Sequence, residues 1–185
     1  MRLFTFKNSG FFFLGFLLLF KFSYAQAVED KLEITTLKKA RYTISYPNNW
    51  IADDSGDNGI ELLLRIPSTK GNTRFNSNIS ILIQDITGFN LDLKGYTDAS
   101  LKQLKKRIPT IKILVNERKK VGSYHMQRLI YLINQGEGNL KFEQRYWVIG
   151  NQAYAITATY LDKKESSQEA TIKAVLNTFT PIVKE

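Results

Sequence analysis

The sequence predicts an α+β domain: an antiparallel sheet with helices packed against it. Three observations point there. Apolar residues recur with a period of two over most of the chain, the mark of strands. The period lengthens to that of a helix in two places, near residues 98–108 and 166–179. Several strand-like runs are joined by turns too short for a parallel crossover, so those strands must be antiparallel.

Taken in order, Leu32, Ile34 and Thr36 alternate with polar neighbours, and Tyr42-Thr43-Ile44-Ser45-Tyr46 alternates until Pro47 stops it. Residues 52–59 are a polar loop, and residues 60–66 are an apolar run closed by Pro67, which reads as a buried strand. Residues 68–76 are polar and contain glycine, a loop by composition. Ile79, Ile81 and Ile83 restore the alternation, which is lost at Thr87-Gly88. Leu101, Leu104 and Ile108 then lie on one helical face, with Asp98 or Thr97 as N-cap and Pro109 as the stop. A strand from Ile111 towards Lys120 follows.

Next comes a three-strand meander over residues 124–133, 140–149 and 152–161. Gly136-Glu137-Gly138-Asn139 makes its first turn. Gly150-Asn151 makes the second, since glycine tolerates the positive φ of a two-residue hairpin. Ser166 and Glu169 form the S-x-x-E of a capping box. Behind it Ile172, Val175, Leu176 and Phe179 make the apolar stripe of a last helix, ended by Pro181. With no linker and no repeat, residues 28–185 are expected to form a single domain.

The N-terminus has the three parts of a secretory signal, residues 1–27. Arg2 and Lys7 give the positive region, residues 11–20 are apolar apart from Gly15, and cleavage is expected after Ala25 or Ala27. Lys21 cuts the apolar run well below the about 20 residues needed to span a bilayer. Loss of Arg2, Lys7 and Lys21 takes the formal charge from +9 to +6. The chain has no cysteine, which excludes disulfides, thiolate chemistry and the lipoprotein route of anchoring. A periplasmic or secreted product is therefore expected.

Catalytic signatures are sparse. His125 is the sole histidine, so a metal centre lacks further imidazoles or thiolates. No serine sits in a G-x-S-x-G elbow, which leaves a hydrolase built on His125 without a nucleophile. Asp53, Asp54, Asp57 and Glu61 invite a calcium reading, but the EF-hand spacing fails: the sixth position is Asn58 and the twelfth is Leu64. The largest basic concentration is Lys102, Lys105, Lys106 and Arg107, extended by Arg118, Lys119 and Lys120. It is either the solvated face of an amphipathic helix or an anion-binding surface. Asn78-Ile79-Ser80 matches a glycosylation acceptor.

The run from Tyr42 through Pro47 to Trp50 resembles the Y-P-x-x-W corner of the PsbP superfamily (PsbP/DcrB-like). Pro47 ends a strand there and Trp50 anchors the sheet end. Asn78-Ile79-Ser80-Ile81, the helix near Leu101, the meander from Gly122 to Leu161 and Phe179-Thr180-Pro181 extend the resemblance over residues 32–183. It implies an α/β/α sandwich with a central antiparallel sheet and two main helices. It also implies a non-enzymatic binding or assembly module without a metal or cofactor. The expected partner is an envelope or extracellular protein or a small ligand, not nucleic acid. The alternative is a peripheral binder of anionic surfaces, a membrane or acidic glycan, through the basic helix face.

Overall fold

The computed structural model describes residues 33–67, 75–135, 138–162 and 167–182. The signal segment, Gly136, Glu137 and Ser166 lie outside the described residues, as does most of the loop that follows Pro67. The strands are β1 Ile34–Lys38, β2 Tyr42–Pro47, β3 Ile51–Asp53, β4 Ile60–Arg65 and β5 Asn78–Asp85. After α1, Leu93–Arg107, come β6 Lys112–Val121, β7 Tyr124–Asn134, β8 Asn139–Ile149 and β9 Gln152–Leu161. The chain closes with α2, Ser167–Thr178, and β10, Thr180–Pro181.

Seven strands form the central sheet in the order β3-β4-β5-β9-β8-β7-β6, with antiparallel pairing throughout. β1, β2 and β10 form a second, three-stranded sheet. The alternation of side chains gives the central sheet two apolar faces, and each is covered. On one, Ile79, Ile81, Ile156 and Ala158 pack with Tyr42, Ile44 and Tyr46 of β2 and with Ile172, Val175 and Leu176 of α2. On the other, Leu129, Tyr131, Phe142 and Tyr146 pack with Leu93, Tyr96 and Leu104 of α1. This is the expected α+β sandwich, helix on sheet on helix. One outer layer, however, shares its helix with the small sheet.

Three features depart from the sequence expectation. First, α1 begins five residues before Asp98. Asp92 is its cap, with Oδ1 accepting the Gly95 N–H at 2.7 Å. Thr97 and Asp98 lie inside the helix, where the Thr97 hydroxyl donates to the Leu93 carbonyl at 2.8 Å and Asp98 pairs with Lys94 at 2.5 Å. The buried stripe is Leu93, Tyr96, Ser100 and Leu104, and its apolar signal is interrupted by Ser100, whose hydroxyl is satisfied by the Tyr96 carbonyl at 2.8 Å. Second, β3 arises inside the expected polar loop through pairing of Ala52 with Leu64. Third, Phe179 lies beyond α2, and Pro181 does not simply end the helix but pairs with Tyr42 as part of β10.

Candidate functional site

β6 and β7 form a long hairpin turned by Gly122-Ser123, where Gly122 takes a φ of +59° that favours glycine. Val121 pairs with Tyr124 at the turn, Lys120 with His125, Arg118 with Gln127 and Asn116 with Leu129. The register shifts between Ile113 and Val115, a bulge that re-aims the residues beyond it. Leu129 packs on the α1 side of the sheet, so period two brings His125 and Gln127, with Asn116, Arg118 and Lys120 opposite them, to that same side. α1 crosses there only in part, which leaves a groove.

The groove has two adjoining compartments. One, of about 360 Å³, runs between the first turns of α1 and the hairpin; Lys94, Asp98, Leu101, Asn116, Gln127 and Leu129 line it. The other, of about 340 Å³, lies towards the hairpin turn against Asp92, Leu93, Ser123, Tyr124, His125 and Val148. Arg118 lines both. Its Nε donates to Gln127 Oε1 at 3.4 Å, and Gln127 Nε2 donates to Asn116 Oδ1 at 2.7 Å, so three polar side chains of the hairpin brace one another. Tyr146 closes the floor; its hydroxyl donates to Gln144 Oε1 at 2.5 Å. Burial holds the Tyr146 and Tyr96 phenols well above their ordinary pKa, so both are neutral donors.

The opposite face of the same strands carries a buried ion cluster. Glu143 has no exposed side-chain surface. Its carboxylate accepts from Arg128 Nε at 2.9 Å and Nη2 at 3.1 Å, and from Arg145 Nε at 3.0 Å. Arg145 Nη1 reaches Asn177 of α2 at 2.8 Å, and Arg128 Nη1 reaches Glu117 at 3.2 Å. Burial alone would raise the Glu143 pKa, but the hydrogen bonds and charges of the two arginines overcome it and hold the carboxyl below its usual range. This cluster fixes α2 to the sheet.

The residues singled out in the sequence are dispersed. Lys102, Lys105, Lys106 and Arg107 are exposed on α1 and line neither compartment. Arg118 is in the groove and Lys120 shares its side of the sheet, whereas Lys119 pairs with Glu117 at 2.9 Å. His125 is exposed at the groove's end. Three of the four acidic residues are paired with cations: Asp53 with Arg65 at 2.9 Å, Asp54 with Lys39 at 2.5 Å and Glu61 with Arg41. Hydrogen bonds from Ser55 and Arg65 hold Asp53, and one from Lys39 holds Asp54, below the ordinary carboxylate pKa. Among the described residues no three His, Asp or Glu side chains converge as metal ligands.

Asn78 is 8% exposed and its amide donates to the Asn76 carbonyl at 3.2 Å, so the acceptor sequence is sealed in the sheet. Pro47 and Trp50 are buried at one end of β2, and the Trp50 N–H donates to the Pro47 carbonyl at 3.0 Å. Sequence reasoning passed over Lys94, Asn116 and Gln127, which are unremarkable polar residues in amphipathic segments. The Gly122-Ser123 turn was the signal that could have found them, because it sets Asn116 and Arg118 opposite Leu129 and Gln127.

By sequence, no protein-family model matches the chain, and no curated protein does either. By structure it is similar to cyanobacterial PsbP (CyanoP) from Synechocystis, with a TM-score of 0.64 and 13% identity, over 85% of this chain and 98% of that one. The fold is PsbP-like. A second similar structure is LpqN of Mycobacterium tuberculosis, involved in cell envelope biogenesis, with a TM-score of 0.57 and 11% identity over 83% of this chain and 92% of that one. A third is the Ran-binding protein Mog1p of Saccharomyces cerevisiae, at 0.53 and 11%, over 81% and 96%. At these identities the likeness establishes the fold and leaves function to the site. No helix among the described residues is long and apolar enough to cross a membrane.

Proposed function

We propose that this chain is an exported, non-enzymatic binding module of the PsbP-like kind, and that it takes its ligand in the groove between α1 and the β6–β7 hairpin. The observation that carries the reading is Arg118, a cation shared by two compartments and unpaired with any carboxylate among the described residues. A concave site with a few convergent polar groups over an apolar floor is the usual form of a small-ligand pocket. Catalysis would need a nucleophile and base within hydrogen-bond reach. His125 and Ser123 share the second compartment, but no hydrogen bond joins them among the described residues. Among the structural neighbours, Mog1p is a Ran-binding protein and LpqN is involved in cell envelope biogenesis, which agrees with a binding or assembly role for this fold.

Two measurements test the proposal. Fractionation of the host, with N-terminal sequencing of the product, is expected to recover a protein starting at Gln26 or Val28 outside the cytoplasm; a product retaining Met1 in the cytoplasm refutes export. Leu101→Trp, which fills the first compartment from its wall, is expected to abolish ligand-induced thermal stabilisation while the unliganded protein melts within a few degrees of the parent. Unchanged stabilisation by the ligand refutes the groove.

A second reading keeps the exposed Lys102, Lys105, Lys106 and Arg107 as an anionic-surface contact. Vesicles rich in phosphatidylserine would then sediment the protein at low salt and release it as the ionic strength rises, because screening weakens such attraction. Sedimentation that ignores salt, or its absence, removes this reading.

A further inference from the structure

We infer that the ligand of the Arg118 groove is a small organic oxyanion, a carboxylate or phosphate monoester carried on an apolar body. This rests on the groove being the binding site. Of the two cations that line the walls, Lys94 and Arg118, the second has no carboxylate partner among the described residues. Asp98 holds Lys94, and Asp92, still an anion, accepts the Gly95 N–H as the α1 cap, which leaves Arg118 with Lys120 beyond it on the same side of the hairpin. Gln127 and Asn116 brace Arg118 through its Nε. The outer edge of the guanidinium, its two Nη groups, meets no carboxylate among the described residues.

A braced guanidinium is a planar fork whose spacing matches the two oxygens of a carboxylate or phosphate, and little freedom is lost when it closes on them. The apolar body follows from the floor. Leu101, Leu129 and Tyr146 lie to one side of Arg118, and Leu93 and Val148 to the other. Each compartment, at about 360 and 340 Å³, stands near the lower end of the roughly 300–1,000 Å³ that small-molecule sites occupy. One ring or short aliphatic chain fits beside the anionic group. A purely inorganic anion would leave that floor wet.

The experiment titrates ¹⁵N-labelled protein, purified as exported, with benzoate, phenyl phosphate, neutral benzamide and inorganic phosphate at low salt, following backbone amides by NMR. Benzoate and phenyl phosphate are expected to shift amides of residues 94–101 and 116–129, and to bind at least tenfold more tightly than benzamide. Arg118→Gln is expected to weaken both anions at least tenfold while leaving the benzamide affinity and the melting temperature unchanged. The triple variant Lys102→Gln, Lys105→Gln, Lys106→Gln is expected to alter nothing.

Benzamide and benzoate binding the groove equally, or Arg118→Gln retaining full affinity, overturns the oxyanion assignment and leaves the groove standing. Inorganic phosphate binding as tightly as phenyl phosphate means an adventitious ion only and overturns the assignment as well. No response to either organic anion overturns it outright. Anion-induced shifts confined to surfaces away from the groove overturn the groove itself.

Discussion

At the scale of single residues, Glu143 shows how far a side chain's meaning depends on what covers it. Lys141, Glu143 and Arg145 alternate with Leu140, Phe142, Gln144 and Tyr146 along β8, and a row of charges at period two in a half-covered sheet marks the solvent side. Here α2 lies over that side: Glu143 is fully enclosed, and Lys141 reaches Glu169 of α2 at 3.0 Å. Removing one partner of a buried pair strands the others, so Glu143→Gln is expected to cost about 3–5 kcal/mol in urea unfolding. The same group predicts a pH effect. Its folded pKa is depressed, so its stabilisation is complete above the ordinary carboxylate range near ~4.5 and is lost as pH falls through the lower folded value. The parent should therefore lose stability between about pH 4.5 and the acid limit more steeply than Glu143→Gln, as chemical denaturation at stepped pH will show. Arg118 offers the contrast, since its neighbours brace it but leave it facing a cavity.

At the scale of elements, α1 separates two rules that the sequence could not rank. The stripe of Leu101, Leu104 and Ile108 pointed to Asp98 or Thr97 as the cap, although Asp92, further upstream, is as acceptable by residue type. Tertiary packing decided for Asp92, because Leu93 and Tyr96 at 9% and 2% exposure extend the helix back across the sheet. Asp92→Ala is expected to cost about 1 kcal/mol, a fall of roughly 2–4 °C in melting temperature. Asp98→Ala removes only an exposed i,i+4 pair, worth about 0.3–0.5 kcal/mol, and calorimetry of the two variants distinguishes the caps. The Gly150-Asn151 hairpin was legible because the rule is local: Gly150 has a φ of +56°, and Ile149 pairs with Gln152 as a two-residue turn demands. Gly150→Ala should cost about 1–2 kcal/mol for the same reason, read by the same calorimetry.

At the scale of the whole molecule, the two sheets are held together by an aromatic group that no single element contains. Phe179 stacks on Tyr42 of the small sheet with ring centroids at 5.6 Å and meets Trp147 of the central sheet at 5.2 Å and Tyr154 at 6.3 Å. It follows α2 directly, and Thr178 before it accepts a hydrogen bond from the Ser45 N–H at 2.9 Å, so the end of the chain ties the helix and both sheets. Phe179→Ala is expected to destabilise by about 3–5 kcal/mol, and near-ultraviolet circular dichroism should lose the ordered signal of its aromatic neighbours. The two β-layers would be the first to part.

The sequence by itself determined the longer strands, their antiparallel meander, the existence of both helices, the absence of cysteine chemistry and the PsbP-like resemblance. All of these rest on periodicity, turn residues and composition, which act over a few neighbouring positions. Tertiary structure alone decided the start of α1, the brief β3 and β10 pairings, the burial of Glu143 and Asn78, and the groove. Each of those depends on residues separated in the chain meeting across a strand pair or between layers. Arg118 is the clearest case. In the sequence it belonged with Lys119 and Lys120 in one basic run; in the fold the strand's alternation sends Lys119 to Glu117 on one side and Arg118 to the groove on the other.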